Sequence, residues 1–153
     1  MASKPESSFR RGVERYIPHV YKEKMANPYR GGGADCWYSG VNNDLWVEYK
    51  YLAKLPIRVP VSYGLTALQL RWLNDRYAEG RNVAVLVGCK EGGVILRAGE
   101  WNHPMAVEQF KDRVQPRHEL GAFIQNTTGV SPSCAYYGLS TQLRKDFPVF
   151  NES

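Results

Sequence analysis

A pair of strand-like segments arranged about a turn is the sequence feature that most constrains the fold. Cys36–Ser39 and 45–51 are rich in aromatic and β-branched residues, which favour extended backbone. Residues 40–44 between them are mostly glycine, asparagine and aspartate, which are typical of turns. The sequence therefore predicts an antiparallel hairpin centred between Val41 and Asn42.

The hairpin brings charged residues together. Asp35 and Glu48 are equally distant from the centre of the turn, so they lie opposite each other, and cross-strand neighbours have Cβ atoms roughly 4.5–5.5 Å apart. Glu48 and Lys50 share a face, with Trp46, because side chains alternate along a strand. Tyr49 points the other way, so we expect one face to carry the charges and the other the core.

Two carboxylates at this distance favour a bound cation. They repel each other unless positive charge lies between them, and Mg²⁺ is commonly held by one or two carboxylates, water and substrate phosphate. We predict a Mg²⁺ site, with Mn²⁺ as a substitute, formed by Asp35 and Glu48. Lys50 would stabilise negative charge at a phosphate or orient the attacking water. The alternative is a surface hairpin in which Glu48 and Lys50 form an ordinary ion pair.

The run from Gly32 to Lys50 resembles the PD-(D/E)XK nuclease superfamily, and most of all its small VRR-NUC-type, phage-type and homing endonucleases. In these proteins Gly-Pro-Asp opens a hairpin, and Glu-x-Lys follows on the next strand. The resemblance implies metal-binding and catalytic roles for Asp35, Glu48 and Lys50. Ala34 stands where the family usually has proline. The implied fold is α/β, with a small mixed β-sheet core flanked by helices, as in restriction endonucleases.

A helix predicted over 66–79 extends the resemblance. Gln69 falls within its apolar arc, and a polar amide facing a core needs a partner. VRR-NUC-type nucleases have a similar Gln-x-x-Trp-Leu helix whose glutamine is directed at the metal site, so Gln69 is a candidate catalytic residue. Alternatively, Thr66 and Gln69 form a capping box, and one residue can serve both purposes.

An acidic residue on a helix before the first strand is a further feature of the superfamily. We predict this helix over 8–17, capped by Ser7 or Ser8, with an apolar face that Glu14 borders. Glu14 is the candidate for the additional catalytic carboxylate. The alternative is a solvated glutamate on an amphipathic helix.

The charge of the chain suits a polyanionic partner. Net charge is +5 and the isoelectric point is about 9.2. Basic residues outnumber acidic ones between positions 10 and 30, which favours a phosphate-contacting surface, although such clusters are also common on solvated faces. The predicted DNA-binding residues are Arg10, Arg11, Arg15, Lys22, Lys24 and Arg30, joined by Lys54 and Arg58 beyond the second strand of the hairpin.

The remaining segments complete a single nuclease domain over 1–153. Residues 82–88 form a continuous apolar run, which predicts a buried strand, and 94–97 predict an edge strand. Residues from about 115 to 153 are punctuated by glycine and proline. We interpret them as a possible DNA-binding or oligomerisation extension.

Several other classes of protein lack support in the sequence. The three cysteines are widely spaced, which argues against a zinc site and a secreted disulfide framework. No phosphate-binding P-loop is present. No apolar run has transmembrane length, so we expect no membrane partner. We expect an intracellular, cytoplasmic location, with a phage-encoded protein inside a bacterial host as one version of it.

The predicted function is a Mg²⁺-dependent endonuclease that hydrolyses phosphodiester bonds in double-stranded DNA, leaving 5′-phosphate ends as the resemblance implies. A site-specific homing endonuclease is favoured. The alternatives are a Holliday-junction or branched-DNA resolvase and a phage DNA-processing nuclease. A different class, a catalytically inactive nuclease-fold module that binds DNA, also stays open. Cutting two strands requires two sites, so we expect a homodimer or homotetramer.

Overall fold

A computed structural model of the protein describes residues 3–25 and 32–133. They form a mixed α/β fold, as predicted. None of the helices in these ranges combines the length and apolar character that a membrane span requires. The elements are α1 Lys4–Glu14, β1 Tyr21–Lys24, β2 Cys36–Ser39, β3 Asp44–Tyr51, α2 Ala67–Ala78, β4 Val83–Cys89, β5 Gly92–Leu96, a 3₁₀ turn Glu100–Asn102, α3 Val107–Arg113 and α4 Arg117–Thr128.

The strands form one five-stranded sheet in the order β1-β2-β3-β4-β5. β3 and β4 are parallel and the other neighbours are antiparallel. Parallel neighbours require a crossover connection, which α2 supplies. β2 and β3 form the predicted hairpin, and every residue of β4 is buried, as its apolar run predicts. β5 lies at the edge of the sheet, as expected.

Helices cover both faces of the sheet. On one face, called the α1 face, Phe9 of α1 and Ile124 of α4 pack in the same cluster as Val47. On the other, called the α2 face, Leu73 of α2 packs in a cluster with Val85, and Trp46 packs against that cluster. The expected division of β3 is confirmed, because Glu48 and Lys50 share the α2 face while Val47 and Tyr49 pack in the core of the α1 face. Both sides are buried, because crossover helices shield the centre of the sheet from water.

α1 begins and ends earlier than predicted. Ser3, rather than a residue at 7 or 8, is its N-cap, and Ser3 and Glu6 form a reciprocal capping box with both distances 3.3 Å. The helix ends at Glu14 rather than 17. A proline at position 18 disfavours helical backbone at Ile17, which is consistent with the helix not reaching the predicted end.

The segment predicted as an extension begins with a helix of the core. Leu120 and Ile124 of α4 are fully buried on the α1 face. The part of the segment up to Thr128 therefore belongs to the main packing unit. Residues 134–153 lie outside the described residues, and the proposed DNA-binding or oligomerisation role of this segment stays a prediction.

Candidate active site

The strand register brings the two predicted metal ligands together. Cys36 pairs with Val47 and Trp37 with Trp46, so the same register continued by one residue sets Asp35 opposite Glu48. Asp35 Oδ2 accepts a hydrogen bond from the backbone N–H of Tyr49 at 2.8 Å. The predicted alignment of the hairpin is confirmed, and the carboxylate of Asp35 is tied to the backbone of β3.

Glu48 is the most unusual carboxylate of this site. Only 2% of it is exposed, and Lys50 Nζ lies 3.9 Å from its Oε2. Burial raises the pKa of Glu48 well above its ordinary value, and the negative charge of Asp35 raises it further, while Lys50 lowers it. The positive charge of Lys50 therefore lowers the pKa of Glu48 by less than burial and the neighbouring Asp35 raise it.

Gln69 serves the helix and the site at once. Its Oε1 accepts a hydrogen bond from the Thr66 N–H at 2.9 Å, and Thr66 Oγ1 accepts one from the Gln69 N–H at 3.1 Å. Its Nε2 donates to Glu48 Oε2 at 3.2 Å. Gln69 therefore makes both contacts: the capping box orients an amide that also donates to the buried carboxylate.

The structure does not bring Glu14 to this site. Its carboxylate accepts hydrogen bonds from Tyr38 OH at 2.7 Å and from Arg10 Nη1 at 2.6 Å. Tyr38 lies on the α1 face, whereas Glu48 points to the α2 face because it alternates with Val47 and Tyr49. The prediction of Glu14 as a catalytic carboxylate is therefore wrong. The helix begins four residues earlier than expected, at Lys4, but this shift is not the cause. The sheet lies between the Glu14 and Glu48 carboxylates.

Glu14 instead supports the site from behind. Tyr38 OH and Tyr49 OH lie 2.6 Å apart, and Tyr49 donates its backbone N–H to Asp35. A buried hydrogen-bonded chain thus runs from the Arg10–Glu14 ion pair on α1 to the strand residue that holds Asp35. Buried polar networks of this kind rigidify their surroundings when every member is satisfied.

A carboxylate that the sequence interpretation missed is Glu6. It lies in the first turn of α1, half-buried, and its charge raises the pKa of Glu48. The available signal was the Ser3-x-x-Glu6 spacing of a capping box, which locates the start of α1 and with it Glu6. Of the two α1 carboxylates, Glu6 is the one whose charge contributes to the raised pKa of Glu48, and this contribution is smaller than those of burial and Asp35.

The predicted DNA-binding residues do not form one surface. Arg10 is ion-paired with Glu14 and its side chain is only 15% exposed, which does not favour phosphate contact. Lys22 and Lys24 lie on β1 opposite Tyr38 and Cys36. Since paired residues of antiparallel strands share a face, both lysines lie on the α1 face, away from Glu48.

The other predicted contacts differ in position. Arg11 and Arg15 are exposed on or just after α1. Arg30 lies outside the described residues. Lys54 and Arg58 are exposed on the segment that follows β3, and they are the predicted DNA-binding residues that come next after Lys50 in the chain.

The donor set fits a hard divalent cation. Within residues 3–25 and 32–133, no group of three or more His, Cys, Asp or Glu side chains is arranged to hold a metal. Mg²⁺ does not require such a cage, because it is usually bound by one or two carboxylates and completes its octahedron with water and substrate phosphate. Asp35 and Glu48 supply that minimum.

Comparison with known proteins bears on the fold. No protein-family model and no curated protein matches the chain. Thirteen solved chains match, among them Hjc, a Holliday junction resolvase from the archaeal hyperthermophile Archaeoglobus fulgidus. The match has a TM-score of 0.50 and 13% identity, and it covers 79% of this chain and 99% of Hjc. Hjc is a member of the PD-(D/E)XK nuclease superfamily.

The chain has the restriction-endonuclease-like fold of Hjc. This confirms the predicted α/β fold, with a small mixed sheet flanked by helices. At 13% identity the likeness concerns the fold alone. The roles of the site residues are therefore argued from their own contacts.

Proposed function

We propose that this protein is a divalent-metal-dependent endonuclease that cuts branched DNA. The observation that carries the proposal is the pairing of Asp35 with the buried Glu48, with Lys50 and Gln69 in contact with Glu48. Buried groups with strongly shifted pKa values beside a specific charged partner are typical of functional sites. This arrangement of two carboxylates, a lysine and an amide supports a role in phosphodiester hydrolysis.

Asp35 and Glu48 would hold the cation, with Glu6 as a further carboxylate acting on the same site. A divalent ion held by these carboxylates would supply Lewis-acid chemistry, polarising the phosphoryl group and lowering the pKa of water. Both carboxylates are held in position before any substrate binds. The Tyr49 backbone N–H donates to Asp35, and the Gln69 amide donates to Glu48. A site fixed before the substrate arrives loses little free energy to reorganisation.

Lys50 supplies the positive charge on the protein side. Its side chain is only 12% exposed and lies within ion-pair distance of Glu48. The reaction is an in-line displacement in which a water oxygen bonds to phosphorus while the bond to the leaving oxygen breaks, giving a 5′-phosphate end. The ammonium group stabilises negative charge that develops on the phosphoryl oxygens.

The likeness to a Holliday junction resolvase favours branched DNA over the homing target that the sequence suggested. No contact in the described residues supports homing specifically. The part of the chain that the structure describes contains one candidate site, and resolving a junction requires two cuts. We therefore propose that the active form is a homodimer.

The decisive experiment compares three DNA substrates of the same sequence: a four-way junction, a linear duplex and a supercoiled plasmid. Each is incubated with Mg²⁺, Mn²⁺ or EDTA. We expect junction cleavage with either metal and none with EDTA. Glu48→Gln should lose activity at least roughly 100-fold, since removing even an outer partner of a metal costs 10–100-fold.

Glu108→Gln, on the exposed surface of α3, is the matched control and should cut like the unaltered protein. Tight DNA binding without cleavage in either metal would contradict the proposal and support the inactive DNA-binding module. Discrete fragments from one site in linear DNA, with junctions left intact, would support a homing endonuclease instead.

A further inference from the structure

Residues 52–66 connect β3 to α2 and are called the β3–α2 loop. Both ends of this loop lie next to the proposed site. It begins two residues after Lys50, where the Leu52 N–H donates to the Gly88 carbonyl at 2.8 Å. It ends at Thr66, the N-cap of the helix that carries Gln69. Both ends are therefore anchored next to residues that contact Glu48.

The tip of this loop exposes apolar side chains. Ile57 is 92% exposed and Val59 61%, the two highest values among the large apolar residues that the structure describes as exposed. Single exposed apolar residues are common on protein surfaces. Here two aliphatic side chains flank an exposed arginine, Arg58, on a short tip, and this combination points to a ligand.

The tip is held in place rather than free. Pro56 and Pro60 frame it, and proline restricts both its own backbone and that of the preceding residue. On the near side Leu55 packs against the core. On the far side Val61 is fully buried and exchanges backbone hydrogen bonds with Met105 at 2.7 and 3.1 Å. A tip restrained in this way loses little conformational entropy when it binds.

The charge of the loop identifies the class of ligand. Residues 52–66 contain no aspartate or glutamate, and both Lys54 and Arg58 are exposed. A second copy of the chain would present the same positive loop on a protein of net charge +5, which disfavours self-association through the tip. A nucleic acid offers phosphates for the two cations and base faces for the aliphatic side chains.

We infer that Ile57 and Val59 form a wedge that enters a base step at the branch point of the DNA. Lys54 and Arg58 contact the phosphates on either side. This inference rests on the proposed function. Inserting an aliphatic side chain into a regular duplex requires a base step to unstack, which costs free energy. The cost is lower where stacking is already interrupted, so the wedge selects branched DNA over continuous duplex.

The test uses the full chain carrying Glu48→Gln, which binds without cutting. The probe is a four-way junction with 2-aminopurine, a fluorescent base that stacking quenches, at the branch point. Ile57→Ser with Val59→Ser is compared with Val41→Ser, which makes the same kind of change at an exposed valine, 43% exposed, in the turn between β2 and β3. That turn lies at the opposite end of β3 from Lys50.

We expect binding to increase the fluorescence for the parent and for Val41→Ser. Ile57→Ser with Val59→Ser should abolish the increase and weaken junction binding about tenfold, the factor that corresponds to 1.4 kcal/mol. Its affinity for linear duplex should not change. Arg58→Gln should reduce the slope of log affinity against log salt by about one, as expected for the loss of one phosphate contact.

An equal fluorescence increase in the wedge variant and in Val41→Ser would overturn the inference. The inference would also be overturned if, in sedimentation without DNA, Ile57→Ser with Val59→Ser formed a smaller species than the parent. The tip would then be a contact between subunits. Cleavage by the unaltered protein is measured separately. If that protein does not cut but the wedge signal holds, the hydrolytic proposal fails and the wedge stands. If the parent binds no DNA, both fail.

Discussion

At the scale of single residues, Glu48 is the residue around which the candidate site is arranged. Its side chain is buried, it lies opposite Asp35, and Lys50 and Gln69 both contact it. A glutamate in these surroundings retains its proton unless a cation takes the place of that proton. Stability in the absence of metal should therefore report on the state of the site.

The first consequence is a dependence of stability on pH. Burial and the charge of Asp35 raise the pKa of Glu48 from 4.5 to about 9. Between these values the folded state binds a proton that the unfolded state has released, so the free energy of unfolding falls as pH rises. Urea unfolding in EDTA at pH 5, 7 and 9 should show this fall.

Glu48→Gln should flatten that dependence, because glutamine cannot titrate. Adding Mg²⁺ to the unaltered protein should restore most of the stability at pH 9. The same slope in Glu48→Gln and in the unaltered protein would show that other groups cause it.

At the scale of secondary-structure elements, the N-terminus of α2 joins helix capping to the site. Thr66→Ala removes the cap and should cost about 1 kcal/mol of stability. Gln69→Ala removes both the reciprocal cap bond and the hydrogen bond to Glu48. It should cost a similar amount of stability and also lower the cleavage rate, by roughly 10–100-fold, as loss of a supporting residue does in metal sites.

Urea unfolding and single-turnover cleavage of a junction separate the two effects. Thr66→Ala is the control that loses the cap alone, and it should cut at the unaltered rate at a temperature where it stays folded. Equal loss of activity in both variants would mean that capping, rather than the contact with Glu48, explains the role of Gln69.

α1 contributes a buried support on the reverse side of the sheet. Glu14→Gln leaves an oxygen that can accept from Tyr38 but removes the charge that pairs with Arg10. We expect a stability loss of roughly 1–3 kcal/mol, the cost of an unsatisfied buried group. The cleavage rate of the folded variant should stay within a few-fold of normal. A loss as large as that of Glu48→Gln would restore Glu14 as a catalytic candidate.

At the scale of the whole molecule, the proposed function needs two cuts and residues 3–25 and 32–133 contain one candidate site, so we expect two chains to act on one junction. Differently tagged subunits allow dimers of unaltered and Glu48→Gln chains to be purified. On a supercoiled plasmid with an extruded cruciform, the unaltered dimer should give linear product, whereas the mixed dimer should give nicked circles. Linear product at the normal rate from the mixed dimer would mean that one site cuts both strands.

A feature of the fold or site could be predicted from the sequence when the residues that determine it lie close together in the chain. The hairpin, the Thr66–Gln69 cap and the buried strand β4 depend on neighbours within about one element, and their patterns predicted them. The start of α1 was missed although its signal, Ser3 followed by Glu6, was local. Glu14 was assigned to the site because its helical position borders an apolar face, which does not reveal which side of the sheet the helix covers.

The sequence alone determined the pairing of Asp35 with Glu48, since alternation and turn symmetry leave a hairpin one register. It also determined that Lys50 shares the side of Glu48 and that Gln69 can cap its helix. Only the tertiary structure decided that Glu48 is buried, that Glu6 rather than Glu14 acts on it, and that the wedge tip is anchored at the site. Those features arise where α1, α2 and the β3–α2 loop pack against the sheet, and packing between distant segments is not encoded in any local pattern.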